Sequence, residues 1–179
     1  VVGSKNKQTE NKMGTRAVFD FRDNMNEKGF CVYKHWDGYP EGAADVLTKT
    51  LANAWDLPRY ENDEFAAAFI AANKVNAGDI RMTNAPEDHG DIEYIYEIFQ
   101  ANNGQMIVRA YSVDYWSEHE KKKDEIFYGR LKDFVAKYGN RVTKKMWDEL
   151  DRSPHKLLDR TTDPEYVEYV RLKNKFETV

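Results

Sequence analysis

Two short segments hold most of the residues whose types and spacing could do chemistry. The first is Tyr33-Lys34-His35-Trp36-Asp37-Gly38-Tyr39-Pro40-Glu41-Gly42. His35 and Asp37 stand two apart at the end of an alternating stretch, and side chains two apart on a strand point to the same face. Trp36 and Tyr39 flank them. The second segment, Asp88-His89-Gly90-Asp91, repeats the same chemistry in a loop. Where the two meet, His35, Trp36, Asp37, Tyr39, Asp88, His89 and Asp91 make one ligand-binding set. Two imidazoles among carboxylates can divide acid and base roles or bind a divalent cation.

A structural reading competes with this one. An aspartate in a glycine-containing turn accepts backbone N–H bonds and builds the turn with its own side chain. Trp36 and Tyr39 then pack as core. Without a meeting of the two segments, turn chemistry is the stronger account. No two histidines share a short metal-binding spacing, so neither a metal nor a cofactor is expected, and no catalytic residue is assigned.

Other groups carry the same two readings. Trp36, Tyr39, Tyr94, Tyr96 and Tyr111 offer ring faces for a base or nucleotide, or pack beneath a helix. Arg81 and Arg109 fall on expected strands and need either an anionic ligand or an internal carboxylate such as Glu93 or Glu97. The internal pair is the favoured reading. Cys31 is the single cysteine, which excludes an intrachain disulfide and a cysteine zinc cluster. The sequence contains no phosphate-binding glycine loop, dinucleotide fingerprint, nucleophile elbow or zincin helix motif.

The elements that must position these groups follow from hydrophobic period. Residues 16–22 and 30–36 alternate and suggest an antiparallel hairpin. Ala43, Val46, Leu47, Leu51, Ala54 and Trp55 share one helical face, and Leu57-Pro58-Arg59 ends that helix. A second, alanine-rich helix begins near Asn62-Asp63-Glu64, with Asn62 or Asp63 as its cap. A short strand at 79–83 and a hairpin of 92–98 with 105–113 follow. From Ser117 onward the pattern reads as helical. Phe127, Leu131, Phe134, Val135 and Tyr138 form one stripe, and further helices are expected at 142–150 and after Asp163-Pro164.

The expectation is therefore an α+β fold. It has a mostly antiparallel sheet of about five strands with two helices packed on one face, followed by a helical C-terminal extension. The organisation reads as a flexible tail at 1–13, a core domain at 14–116 and the extension at 117–179. Met13-Gly14 precedes the first structured segment, which makes residues 1–12 look like an upstream addition.

The chain has 179 residues, 41% of them hydrophobic, enough for a core of its own. Its net charge of −4 gives no electrostatic case for nucleic acid or an anionic membrane. Acids exceed bases through residue 116, and the later lysine-rich part is nearly balanced. No apolar run resembles a secretory signal or a membrane span.

The run Val32 to Gly42 resembles a family of small, uncharacterised phage and prophage proteins with a Tyr-x-x-Trp-Asp-Gly-Tyr-Pro-x-Gly signature. Looser matches follow at Leu57-Pro58-Arg59-Tyr60-Glu61, at Asp63 to Phe69, and at Asp88 to Tyr94. The resemblance covers about residues 16–113 and brings no catalytic residues with it. It implies a phage-type accessory protein in a bacterial host cytoplasm. Three readings stand from this. One is a non-enzymatic module that binds a small molecule or a protein. Another is a small hydrolase or nucleotide-processing enzyme using His35 or His89 with Asp37 or Asp91. The last is a virion or assembly component that forms homo-oligomers through the extension.

Overall fold

The computed structural model describes residues 14–53, 60–114 and 122–139. Its strands are β1 (Ala17–Phe21), β2 (Phe30–Lys34), β3 (Ile80–Thr83), β4 (Tyr94–Gln100), β5 (Met106–Asp114) and β6 (Lys122–Arg130). Its helices are α1 (Pro40–Asn53), α2 (Asn62–Asn73) and α3 (Leu131–Tyr138), with one 3-10 turn at Pro86–Asp88. The six strands form a single sheet in the order β3-β2-β1-β4-β5-β6. Only the central β1–β4 pair is parallel. The class is α+β, with one strand more than the expected five.

Alternation decides what each face of the sheet meets. Ala17, Phe19 and Phe21 face the helices, where Phe19 lies 4.7 Å from Phe69 and 5.0 Å from Tyr96, ring centre to ring centre. The intervening residues of β1 face the other way, and there Val18, Cys31, Tyr33, Ile92, Ile95, Tyr111 and Val113 form a second apolar cluster. Every residue of β1 is buried as a result. The small side chains of Ala66 and Ala68 let α2 lie close to its neighbours. Its last residue, Asn73, donates through Nδ2 to the Val46 carbonyl and to Thr50 Oγ1, which joins α2 to α1.

The helical reading from Ser117 onward needs correction. Residues 122–130 are an edge strand paired along β5, and among the described residues the helix begins only at Leu131. The stripe from Phe127 to Tyr138 does have helical spacing. However, Gly129 interrupts it, and Ile126-Phe127-Tyr128 favours an extended backbone. A bulge opposite Ala110/Tyr111 shifts the register. Phe127 therefore reaches the helix-side core from a strand, 5.1 Å from Phe134 and 6.1 Å from Tyr138. Lys123-Asp124-Glu125 near the start of β6 put charge on what is, among the described residues, an edge that would otherwise invite pairing with another chain.

The sheet and its core thus continue through residue 139, with Leu131, Phe134 and Val135 buried in the same cluster as Phe19 and Tyr96. The expected tail at 1–13, the end of the first helix at 54–59 and the expected helices at 142–150 and after Asp163 lie outside the described residues. Among the described residues no helix is long and apolar enough to cross a membrane.

Phe134 is fully buried and touches Tyr96, Phe127 and Tyr138. Phe134→Ala is expected to destabilise the fold by about 3–5 kcal/mol. Urea unfolding checks this, and an effect below about 1 kcal/mol would detach α3 from the core.

Candidate functional site

The corner after β2 is built by its glycines and proline. β2 stops at Lys34, the His35 N–H donates to the Asp79 carbonyl (2.8 Å), and Asp37 takes a left-handed φ of 54°. Alternation therefore ends before Asp37, and the shared face expected for His35 and Asp37 does not form. Gly38 lies against β1, where a Cβ would come within 2.8 Å of both the Cβ and the N of Ala17. A side chain on Gly42 would collide with the Asp37 carbonyl. Pro40 opens α1 as its first residue, where a missing N–H costs nothing. The Tyr39 carbonyl accepts the first helical bond, from the Ala43 N–H at 2.9 Å.

Beside this corner a cluster forms around Tyr33, a residue only 1% exposed. Its phenol oxygen lies 2.9 Å from His35 Nδ1. With the phenol donating, His35 is a neutral imidazole that carries its proton on Nε2. The His89 ring stacks on Tyr33 at 4.2 Å with 24° between the planes. His89 Nε2 is held 2.9 Å from Thr83 Oγ1. The Arg81 guanidinium lies 4.6 Å from the centre of the Tyr33 ring. Trp36 meets His35 edge-on at 4.3 Å, with its indole so close to Gly14 that a Cβ there would overlap it. Trp36 is nonetheless 50% exposed.

The two chemistry-bearing segments thus meet through Tyr33. His35, Trp36 and His89 are brought together directly. Asp91 joins through Arg16, whose Nε is 3.0 Å from Asp91 Oδ2 although the N–H is not aimed at that oxygen. Three other expected site residues stand apart from the ring cluster. Asp37 is an exposed turn residue, Tyr39 belongs to the helix entry, and Asp88 is an exposed member of the 3-10 turn whose N–H donates to the Ala85 carbonyl. Neither histidine is hydrogen-bonded to a carboxylate.

Tyr33, Thr83 and Arg16 were missed as site residues, and Arg81, expected to pair internally or to meet an anionic ligand, has no carboxylate partner among the described residues. Tyr33 had a local signal, since it stands two before His35 on the same strand face. The signal for Arg81 was a cation on an expected strand, and its place opposite Tyr33 comes from the pairing of β2 with β3.

The charges around the ring oppose one another. His89 is pushed below its ordinary value by burial and then by Arg81, with Asp91 and Asp88 pulling the other way. Burial raises Tyr33, as does Asp91, against Arg16 and Arg81. No set of three or more histidine, cysteine or carboxylate groups suited to a metal occurs among the described residues.

A buried ionic row lies deeper on the same sheet face. Asp20 and Glu97 are register partners on the parallel strands. Arg22 clasps both, with Nη2 2.6 Å from Asp20 Oδ2 and 2.9 Å from Glu97 Oε1. The Tyr111 hydroxyl donates to Glu97 Oε2 at 3.4 Å. Cys31, beside Asp20, is pushed up to about 12 by burial and by that carboxylate, so it is not a nucleophile at neutral pH. Arg109 does not use Glu93 or Glu97 as its ion-pair partner. It pairs with Glu125 on β6 at 2.7 Å. Tyr96 is wholly core, its hydroxyl donating to the Gly38 carbonyl at 2.8 Å, and Tyr94 stacks beside it.

The lowered His89 value makes stability depend on pH. The unfolded chain takes up this proton near 6.5 and the folded chain only below that. The contribution is therefore intact above 6.5 and is lost as pH falls toward the lower folded value. Urea midpoints at pH 7.5 and at pH about 5.5 should show a smaller decline in His89→Asn than in the parent protein. An identical decline would mean that His89 titrates as a free imidazole.

Comparison of the chain with protein-family models, with curated proteins and with solved structures gives no match, so the chemistry of this corner is what argues for a function.

Proposed function

We propose that this chain is a non-enzymatic binding module whose small-molecule or protein ligand docks at the corner around Trp36. The observation that carries the reading is Trp36 itself. A large aromatic side chain stands half exposed, yet His35 holds it edge-on and the backbone of Gly14 backs it. Core packing gives no reason for that exposure, whereas binding surfaces concentrate their energy in aromatic anchors of this kind. The ring stands in the turn between β2 and α1, pinned by His35 and backed by Gly14, which lowers the ordering cost of binding.

The surrounding chemistry favours binding over catalysis. His35 is hydrogen-bonded to a phenol and His89 to a hydroxyl, so neither is paired with a carboxylate as an acid–base couple would require. Tyr33 is buried beneath its neighbours. The phage or prophage type, and a place in a bacterial host cytoplasm, rest on the resemblance of the Val32–Gly42 run to that family's signature.

A thermal-shift screen against nucleotides, small anions and short peptides tests the reading. At least one probe is expected to raise the melting temperature of the parent protein, and the shift is expected to vanish in Trp36→Ala. Because Trp36 is half exposed, that variant should stay folded, with a stability change within about 1 kcal/mol. If no probe binds and Trp36→Ala unfolds the chain, the corner is structural only.

A further inference from the structure

We propose that the ligand of this corner is a phosphate monoester with an aromatic ring, and that Arg81 with His89 receives its phosphate. The inference rests on the corner being a binding surface and adds the chemistry of what binds there. It starts from a contrast among the described arginines. Arg16 pairs with Asp91, Arg22 with Asp20 and Glu97, Arg109 with Glu125, and Arg130 with Asp133. Arg81 alone among them has no carboxylate. It is exposed and is held by the Tyr33 ring. A guanidinium placed by a ring face keeps its fork of N–H donors free for an oxyanion.

The neighbouring rings add donors to that fork. His89 uses Nε2 on Thr83, and its Nδ1 has no partner among the described residues. His35 uses Nδ1 on Tyr33, which leaves its Nε2 without one. The Arg81 fork and the His35 Nε2–H are therefore donors beside one buried phenol with no protein acceptor engaged on them, and His89 Nδ1 is a third in the tautomer where Nε2 accepts from Thr83. A tetrahedral oxyanion has enough acceptor oxygens to serve all three. The nearby acids do not cancel the site. Asp91 is taken up by Arg16, and Asp88 is an exposed charge screened by solvent.

The aromatic part of the ligand follows from Trp36. Successive contacts of 4.6, 6.0 and 4.3 Å run from Arg81 to Tyr33, from Tyr33 to His35 and from His35 to Trp36. These contacts put Arg81 and Trp36 in one continuous run of side chains through Tyr33 and His35, and the proposed ligand sets its phosphate at Arg81 and its ring on the indole. A nucleobase suits an indole face without needing a sequence-specific set of hydrogen bonds.

Isothermal titration of the full chain at low salt tests this, with adenosine monophosphate, inorganic phosphate and adenosine as probes. Adenosine monophosphate should bind about tenfold more tightly than either fragment. Arg81→Met keeps an aliphatic stem against Tyr33, and it should weaken both phosphate-bearing probes by about tenfold while leaving adenosine unchanged. Trp36→Ala should weaken adenosine monophosphate and adenosine but not inorganic phosphate. Arg81→Lys, which keeps the charge without the fork, should fall between the parent protein and Arg81→Met.

Equal binding of adenosine monophosphate by Arg81→Met and the parent protein would overturn the proposal. So would the absence of binding by any of the three probes. In either case the binding reading survives if another probe in the thermal-shift screen loses its effect in Trp36→Ala, and it falls with the proposal if none does.

Discussion

The corner depends on how closely Gly38 lies on the start of β1. Its N–H donates to the Thr15 carbonyl at 2.8 Å, and its own carbonyl accepts from the Tyr96 hydroxyl at 2.8 Å. No Cβ fits between it and Ala17. One residue without a side chain thus joins the turn to both central strands. Trp36 and His35 precede it by two and three residues, so their freedom is set by this anchor. Arg16, next to Thr15 on the strand side, is the residue that reaches Asp91 and the surroundings of Tyr33. The same backbone contact therefore places the turn and orients the charge around the ring.

The sheet assigns its two faces to different work. The helix side is filled by aromatic and aliphatic groups from α1, α2, α3 and all six strands, and the Tyr96 hydroxyl and Asn73 Nδ2 there bond to backbone and side-chain oxygens. The opposite side carries the histidines and the Arg22 clasp. Tyr33 with its two histidines lies near one end of β1 and the Arg22 clasp lies near the other. Both depend on β1 being central, because only a strand buried on both faces can carry Phe19 toward the helices and Val18 and Asp20 toward the polar side. Removing Arg22 would leave two carboxylates side by side without a counter-charge, which makes the clasp a structural necessity.

The hairpins and the two main helices were legible because their patterns are local. Alternation in 16–22, 30–36 and 92–98 and the 3.6-residue period after Pro40 describe elements that exist, although β2 stops at Lys34 and β4 starts at Tyr94. Residues 122–130 were misread because Phe127 and Leu131 also satisfy a helical stripe, and only pairing with β5 resolves the ambiguity in favour of a strand. The corner was legible as chemistry in His35, Trp36, His89 and Asp91. Tyr33 stood two before His35, but its role as their centre appears only when the pairing of β2 with β3 sets Arg81 opposite it and the loop after β3 lays His89 on its ring. Asp37 was over-read for a physical reason: its left-handed φ ends the alternation that would have aligned it with His35.

The most direct measurement is Gly38→Ala, followed by urea unfolding and by nitrogen NMR of the His35 imidazole. If Gly38 anchors the corner, the variant loses about 1–3 kcal/mol, as overpacking against a strand backbone requires. His35 then loses the Nδ1 signature of its bond to Tyr33, although Gly38 touches neither ring. Gly90→Ala is the control, because a Cβ there has nothing within 4 Å to meet. A Gly38→Ala protein as stable as its parent, with the His35 signature intact, would contradict the account.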